Sequence, residues 1–146
     1  MKFAKLLLVI CLSIPLFAQS PYILTGVKSY YPVVEINSDN IDVKYKTMIK
    51  KMIIEKSDEL GISTKNFSTR SLAILINYIS VGDTLALKVS LMLAEDAMRL
   101  DTKEEVFVLS YVSTKIFVVS DMDEELPDVI EDMLDTFGEQ YKEDNE

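Results

Sequence analysis

Carboxylates, hydroxyls and lysines are the reactive side chains of this sequence, because it has no histidine and its one cysteine is Cys11. Histidine is the usual general base near neutral pH, and histidine and cysteine are the main protein ligands of zinc. The chain beyond Cys11 therefore has no residue with which to build a thiol nucleophile, a histidine-based triad or a zinc centre.

Three carboxylates near one predicted hairpin are the first candidates for catalysis. Asp96 lies near the end of one strand, and Glu104 and Glu105 begin the next. Two carboxyl groups can hydrolyse a glycosidic bond when one of them is buried and stays protonated. At a hairpin tip water reaches all three groups, so we interpret them as a charged hairpin end. A hydrolase that uses these carboxylates is therefore the least favoured function class, and we predict no catalytic residue.

The densest acidic cluster comprises Asp121, Asp123, Glu124 and Glu125. Calcium prefers such oxygen ligands, but the segment lacks the spacing and the glycine of an EF-hand loop. Acidic residues in the first turn of a helix are explained by the positive end of the helix dipole. The four glycines are also too far apart to form a phosphate-binding loop. We therefore predict neither a metal nor a cofactor.

The first eighteen residues have the composition of a secretory signal peptide. Lys2 and Lys5 precede an apolar run over residues 6–17, and Ala18 is a small residue that suits cleavage. A helix needs about 20 residues to span a bilayer, so a retained anchor is the weaker alternative. Lipidation at Cys11 is also disfavoured, because the preceding residues are too large. We predict an exported protein, periplasmic or secreted, cleaved after about Ala18.

Net charge limits the classes of partner. The chain carries a net charge of −9, and loss of the leader would remove two lysines and no acidic residue. Nucleic acids and anionic lipids bind clustered lysine and arginine, so neither is predicted, and membrane contact is expected only through the leader. Without linkers or repeats, the rest divides into an extended arm (19–29), one domain (30–141) and a charged tail (142–146).

The region from 71 to 120 predicts a meander of three strands, over residues 71–81, 84–98 and 105–120. The middle strand alternates apolar and smaller or polar residues with the period of two that a half-buried strand requires. The outer two strands are apolar at both parities, as in strands that are covered on two sides.

The remaining elements predict a two-layer α+β sandwich. A strand at 30–36 contains Pro32, which confines the strand to a sheet edge or places the proline at its start; we favour an edge strand. Helices are expected at 42–60, capped by Gly61, and at 121–141, with Pro127 in the first turn. Each helix has one apolar stripe, so we predict an antiparallel sheet with both helices on one face.

The last strand has more apolar residues than one sheet face can bury. Odd positions from 107 to 119 and even positions from 106 to 118 are both mostly apolar. A surface of this size is unusual in a soluble monomer. It is covered by the arm, by a second copy or by another protein, unless a β-bulge near residues 110–114 switches the parity and hides most of it.

These features predict a non-enzymatic protein-interaction module of the bacterial envelope, which binds a protein partner or a second copy of itself through its sheet face or edge. The predicted interaction surface comprises Tyr30, Tyr31, Phe107, Leu109, Tyr111 and Phe117. The alternative is a carrier that holds a small apolar ligand between the helices and the sheet.

The leader generates a prediction about processing. When the full chain is expressed in a bacterium with a secretion pathway, its intact mass should match a chain that begins at Gln19. Substituting Ala18→Arg, which removes the small residue at the cut, should leave the leader attached. An unmodified mass for residues 1–146 in the original sequence would contradict this prediction.

Overall fold

The computed structural model describes residues 23–82 and 84–146. The predicted signal peptide, the first four residues of the predicted arm and Asp83 of the predicted turn lie outside this range. The helices and strands, in chain order, are β1 (Tyr31–Asn37), α1 (Lys44–Glu59), β2 (Ser71–Val81), β3 (Thr84–Met98), β4 (Glu105–Val118) and α2 (Met122–Asn145).

The four strands form one sheet in the order β1-β2-β3-β4, which confirms the predicted α+β fold and element order. The β2–β3 and β3–β4 pairs are antiparallel, so the meander is as predicted. β1 instead runs parallel to β2, because α1 returns the chain to the end of the sheet at which β1 began. Pro32 lies on an edge strand, where its missing N–H breaks no bond between strands.

Both helices pack on the same face of the sheet, which we call the inner face. Ile49 and Ile53 of α1 and Ile130 and Phe137 of α2 share one buried cluster with inward-facing strand residues. The Phe137 ring meets Tyr111 of β4 edge to face at a centroid distance of 5.3 Å. Burial of these side chains supplies the main stabilising free energy of the domain.

The start and the end of α1 are determined by different local contacts. Gly61 has a φ of +70° and donates its N–H to Asp58, while the Ile62 N–H reaches the Ser57 carbonyl. This pair of bonds closes the helix, and it confirms the predicted left-handed glycine cap. At the start, α1 begins two residues later than expected, although the Asp42 carboxylate still accepts the Lys44 N–H at 2.8 Å.

The start of α2 corrects the predicted position of Pro127. The Asp121 carboxylate caps the helix by accepting the Asp123 and Glu124 N–H groups, and the Glu125 carboxylate accepts the N–H groups of Ser120 and Asp121. These reciprocal bonds start the helix at Met122. Pro127 therefore lies inside the helix, in the second turn rather than the first.

The arm and the tail are bound to each other. Leu24 donates its N–H to the Asp144 carboxylate at 2.8 Å, and the Asn145 side chain donates to the Leu24 carbonyl. Leu24 and Val27 are buried in the core, and α2 continues to Asn145. Residues 142–145 thus form the last helical turn and hold the described part of the arm against the helical layer.

Tyr30 generates a prediction about alkaline stability. Its hydroxyl is buried 2.7 Å from the Ser57 Oγ atom, and burial raises its pKa to about 12. An unfolded tyrosine ionises near pH 10, so the folded state retains this proton longer than the unfolded state. The contribution of the Tyr30 hydroxyl to the free energy of unfolding is therefore fully present below pH 10 and is lost as the pH rises to about 12.

Between pH 9 and 12 the wild type should therefore lose about 2 to 3 kcal/mol more unfolding free energy than Tyr30→Phe. Urea unfolding at a series of pH values measures this difference. The other tyrosines and the lysines are common to both proteins and cancel in the comparison. Identical pH profiles for the two proteins would show that the buried hydroxyl is not linked to folding.

Candidate interaction surface

A β-bulge in β4 decides which of its side chains face the helices. Leu93 of β3 pairs with Tyr111, but the next residue, Ala94, pairs with Leu109, so Ser110 is an extra residue in β4. Its hydroxyl donates to the Leu93 carbonyl at 3.4 Å. An extra residue reverses the alternation of a strand. Before Ser110 the even-numbered side chains of β4 are the more buried, and after it the odd-numbered ones are.

The bulge collects apolar residues of both parities on the side of β4 that faces away from the helices. Five of them form a row with large exposed fractions: Phe107 (69%), Leu109 (52%), Val112 (57%), Ile116 (64%) and Val118 (60%). The parity switch considered from the sequence therefore exists, but it does not hide the apolar surface. It instead exposes an apolar row along the edge strand, interrupted by Thr114 between Val112 and Ile116.

This row belongs to the face of the sheet opposite the helices, which we call the outer face. It comprises the odd-numbered residues of β1 and β2 and the even-numbered residues of β3. In β4 it comprises the odd-numbered residues from 105 to 109 and the even-numbered residues from 112 to 118. The middle of the face has side chains of mixed size. Ser71 and Ala94 separate Tyr31 from Leu109 in one row across the sheet, whereas Leu75 and Met92 lie in neighbouring rows.

Charged residues are sparse on the outer face. In the four strands they are Glu35, Lys88, Asp96 and Glu105. By contrast, α2 carries ten acidic residues and one lysine on the opposite side of the sheet. The negative charge of the domain is thus concentrated in α2, and the outer face is comparatively neutral and apolar.

The structure brings three of the six predicted surface residues together on the outer face and places three elsewhere. Tyr31, Phe107 and Leu109 lie on the outer face. Tyr30 is buried against Ser57 and Phe137, Tyr111 packs on Phe137, and Phe117 lies half-buried against the core. The bulge accounts for Tyr111 and Phe117, because it turns the odd positions after Ser110 inward.

The surface predicted from the sequence omits Val112, Ile116 and Val118. The sequence shows that these residues share even parity, but assigning them to a face requires knowing where the extra residue of the bulge lies. Valine and isoleucine fit either face of a strand equally well, so the hydrophobic pattern carries no signal for that position.

The described part of the arm does not cover the outer face. Gly26 donates its N–H to the Asn145 side chain at 2.9 Å, and the Thr25 hydroxyl donates to the Asp144 carbonyl. Residues 24–26 are therefore held at the end of α2, and Lys28 and Ser29 pair with Ser63 in the loop after α1. Of the coverings considered from the sequence, a second copy and another protein are left as proposals.

The carboxylates near the β3–β4 hairpin are spread over both faces. Asp96 and Glu105 lie on the outer face, paired with Phe107 and Met98, and both are exposed. Glu95 points to the other face, where it accepts a hydrogen bond from Arg70 Nε at 2.6 Å. No buried carboxyl group at this hairpin has the environment that would keep it protonated for acid catalysis.

The acidic cluster that begins α2 makes structural contacts. The Asp123 carboxylate accepts from Lys44 Nζ at 2.7 Å and from the Tyr45 hydroxyl at 2.6 Å. These bonds, chiefly the one from Lys44, hold the pKa of Asp123 below its usual value. Asp121 and Glu125 cap the helix, as described above. Within residues 23–82 and 84–146, no three acidic side chains are placed to hold a metal ion together.

Four surface depressions in the described part of the chain lie along the β1–α1 loop, the exposed side of α1 and the groove between the helices. None of the four is lined by β2, β3 or β4. They therefore give no specific support to a ligand held between the helices and the sheet. None of the helices described here is both long and apolar enough to cross a membrane.

A scan against protein-family models and a search of curated proteins both give no match for this chain. The function is therefore inferred from the chemistry and the geometry of the surface itself.

The two faces of the sheet should respond differently to the same substitution. Val112→Thr and Val118→Thr should each change the free energy of unfolding by no more than about 0.5 kcal/mol, because both side chains are exposed and threonine suits a strand. Val89→Thr, on the fully buried inner face, should cost about 1 to 3 kcal/mol. Urea unfolding measures the free energy of unfolding of all three variants. Equal losses for Val112→Thr and Val89→Thr would contradict the assignment of the two faces.

Proposed function

We propose that this chain is an exported, non-enzymatic protein-interaction module that binds a protein partner through the outer face of its sheet. The observation that carries the proposal is the row of five exposed apolar side chains along β4, opposite the face on which both helices pack. Such rows in soluble proteins mark interaction surfaces, since leaving them in water forgoes the free energy of burial.

The size of the face supports a protein as the partner. The strands have 7, 11, 15 and 14 residues. At a rise of about 3.3 Å per residue and a strand spacing of about 4.8 Å, they make a face of roughly 740 Å². A standard protein–protein interface buries about 800 Å² on each partner. The outer face is therefore large enough for one stable interface.

The chemistry of the face supports an apolar partner surface with few charges. Lys88 is the one cation among the outer-face strand residues, whereas phosphate groups or anionic lipids would require several. The acidic helix α2 lies on the far side of the sheet, so its charge need not be desolvated when the outer face is covered.

Two features of the sequence support the other parts of the proposal. The charged and apolar pattern of residues 1–18 supports export. The lack of histidine, and of any cysteine after Cys11, supports a binding role over catalysis.

A photo-crosslinking amino acid tests the surface in living cells. With p-benzoylphenylalanine at Phe107, irradiation should give one crosslinked product of defined mass, because this exposed side chain lies at the covered face. The same group at Phe67, which is 84% exposed but lies in the loop before β2, is the matched control and should give none.

The product at Phe107 should also disappear when Val112 and Ile116 are both changed to threonine, because these substitutions make the adjoining surface polar. The proposal fails if Phe107 gives no product, or if Phe67 gives the same products with equal yield.

A further inference from the structure

The free edge of β4 has few of the features by which natural sheets prevent edge-to-edge pairing. β4 is the last strand of the sheet, and from Val106 to Val118 its sequence has no proline and one charge, Lys115, whose ammonium group contacts Asp132 of α2 on the inner face. The opposite edge, β1, is half as long and contains Pro32. Exposed edges normally carry charges or prolines or are very short, since their free N–H and C=O groups otherwise pair with another strand.

The bulge divides this edge into two parts. Ser110 disrupts the regular alternation, and bulges twist the adjoining strand away from a neighbour. The run from Tyr111 to Val118 has no such irregularity. It is therefore the part of the edge that a second strand would pair with.

We infer that the free edge of β4 pairs with β4 of a second copy of the chain, antiparallel and around a two-fold axis at Thr114. The inference goes beyond the proposed function, because the pairing uses the edge of the sheet and leaves the outer face of each copy open to a protein partner. Two copies related in this way share one continuous eight-stranded sheet. Both outer faces lie on the same side of that sheet.

The side chains of the run match one another in this register. Val112 of each copy lies opposite Ile116 of the other, and Thr114 lies opposite Thr114 on the axis. On the inner face, Tyr111 lies opposite Phe117, and Ser113 lies opposite Lys115. Apolar pairs and threonine pairs stabilise neighbouring strands, and this register brings no like charges together.

The neighbouring registers are less favourable. An axis at Lys115 would place the two Lys115 ammonium groups directly opposite each other, which destabilises strand pairing. An axis at Ser113 would set Ile116 against Ser110, where the bulge interrupts the regular edge. The axis at Thr114 pairs residues 111–117 of both copies without meeting either obstacle.

The same geometry predicts an effect of salt. Lys115 of β4 contacts Asp132 of α2, and Tyr111 of β4 packs on Phe137 of α2, so the acidic helix lies over the paired strand. Two such helices approach each other across the axis. Salt screens their repulsion, so self-association should become tighter as the salt concentration rises.

A cysteine on the axis tests the register in the full chain with Cys11→Ala. Thr114→Cys places two thiols directly opposite each other, at a Cα separation of about 4.5 to 5.5 Å that a disulfide accepts. Mild oxidation should convert most of the protein to a covalent dimer. Val112→Cys is the matched control and should give little, because the two thiols would be about 14 Å apart along the strand. Mixing Val112→Cys with Ile116→Cys should restore the crosslink.

Light scattering on the unoxidised chain tests the association itself. The original sequence should have the mass of a dimer. Thr114→Glu, which sets two carboxylates face to face, should weaken dimerisation at least about tenfold. Thr84→Glu makes the same change at an exposed residue of the neighbouring strand β3, where no residue of β4 pairs with it, and it should leave the dimer intact.

A monomer at all concentrations, or equal crosslinking at positions 112 and 114, would overturn the β4 pairing. The proposed function is tested separately by the product at Phe107. A product that contains a different protein supports the outer-face surface, whereas the dimer mass and the crosslink at position 114 decide the edge pairing. If no product forms and the chain is monomeric, both fail.

Discussion

The single extra residue in β4 determines which side chains of that strand face the core and which face outward. A strand of strict alternation would send the apolar residues of one parity inward and those of the other parity outward along its whole length. Because Ser110 is inserted opposite the Leu93–Ala94 step, Tyr111 turns inward to pack on Phe137, and Val112 turns outward. The bulge thus completes the core with Tyr111 and determines that Val112, Ile116 and Val118, rather than Tyr111 and Phe117, are the exposed apolar residues after it.

The core explains why the outer face is left open. Each helix has one apolar stripe, and both stripes are used on the inner face, where Phe137 contacts Tyr30 and Tyr111. The described part of the arm is bound to the end of α2 through Asp144 and Asn145, on the same side. Residues 23–82 and 84–146 therefore offer no further element that could cover the other side of the sheet.

Element positions could be read from the sequence because local patterns determine them. Alternation in β3, the glycine cap at Gly61 and the acidic start of α2 each specify a structure within a few residues of the chain. The direction of β1, the burial of Tyr30 and the exact place of the bulge depend on partners far away. Ser57 lies 27 residues from Tyr30, and the bulge is defined by pairing with Leu93. For this reason half of the predicted surface residues lie on the inner side or in the core.

Residues 23–82 and 84–146 leave the outer face of the sheet open. Hydroxyl-radical footprinting of the full chain, diluted until light scattering shows a monomer, measures this exposure. After correction for the intrinsic reactivity of each side chain, Phe107, Leu109 and Ile116 should be oxidised nearly as fast as the loop residue Phe67, while Phe137 should be protected. Protection of the three outer-face residues to the level of Phe137 in the monomer would contradict this prediction, because the chain would then cover that face itself.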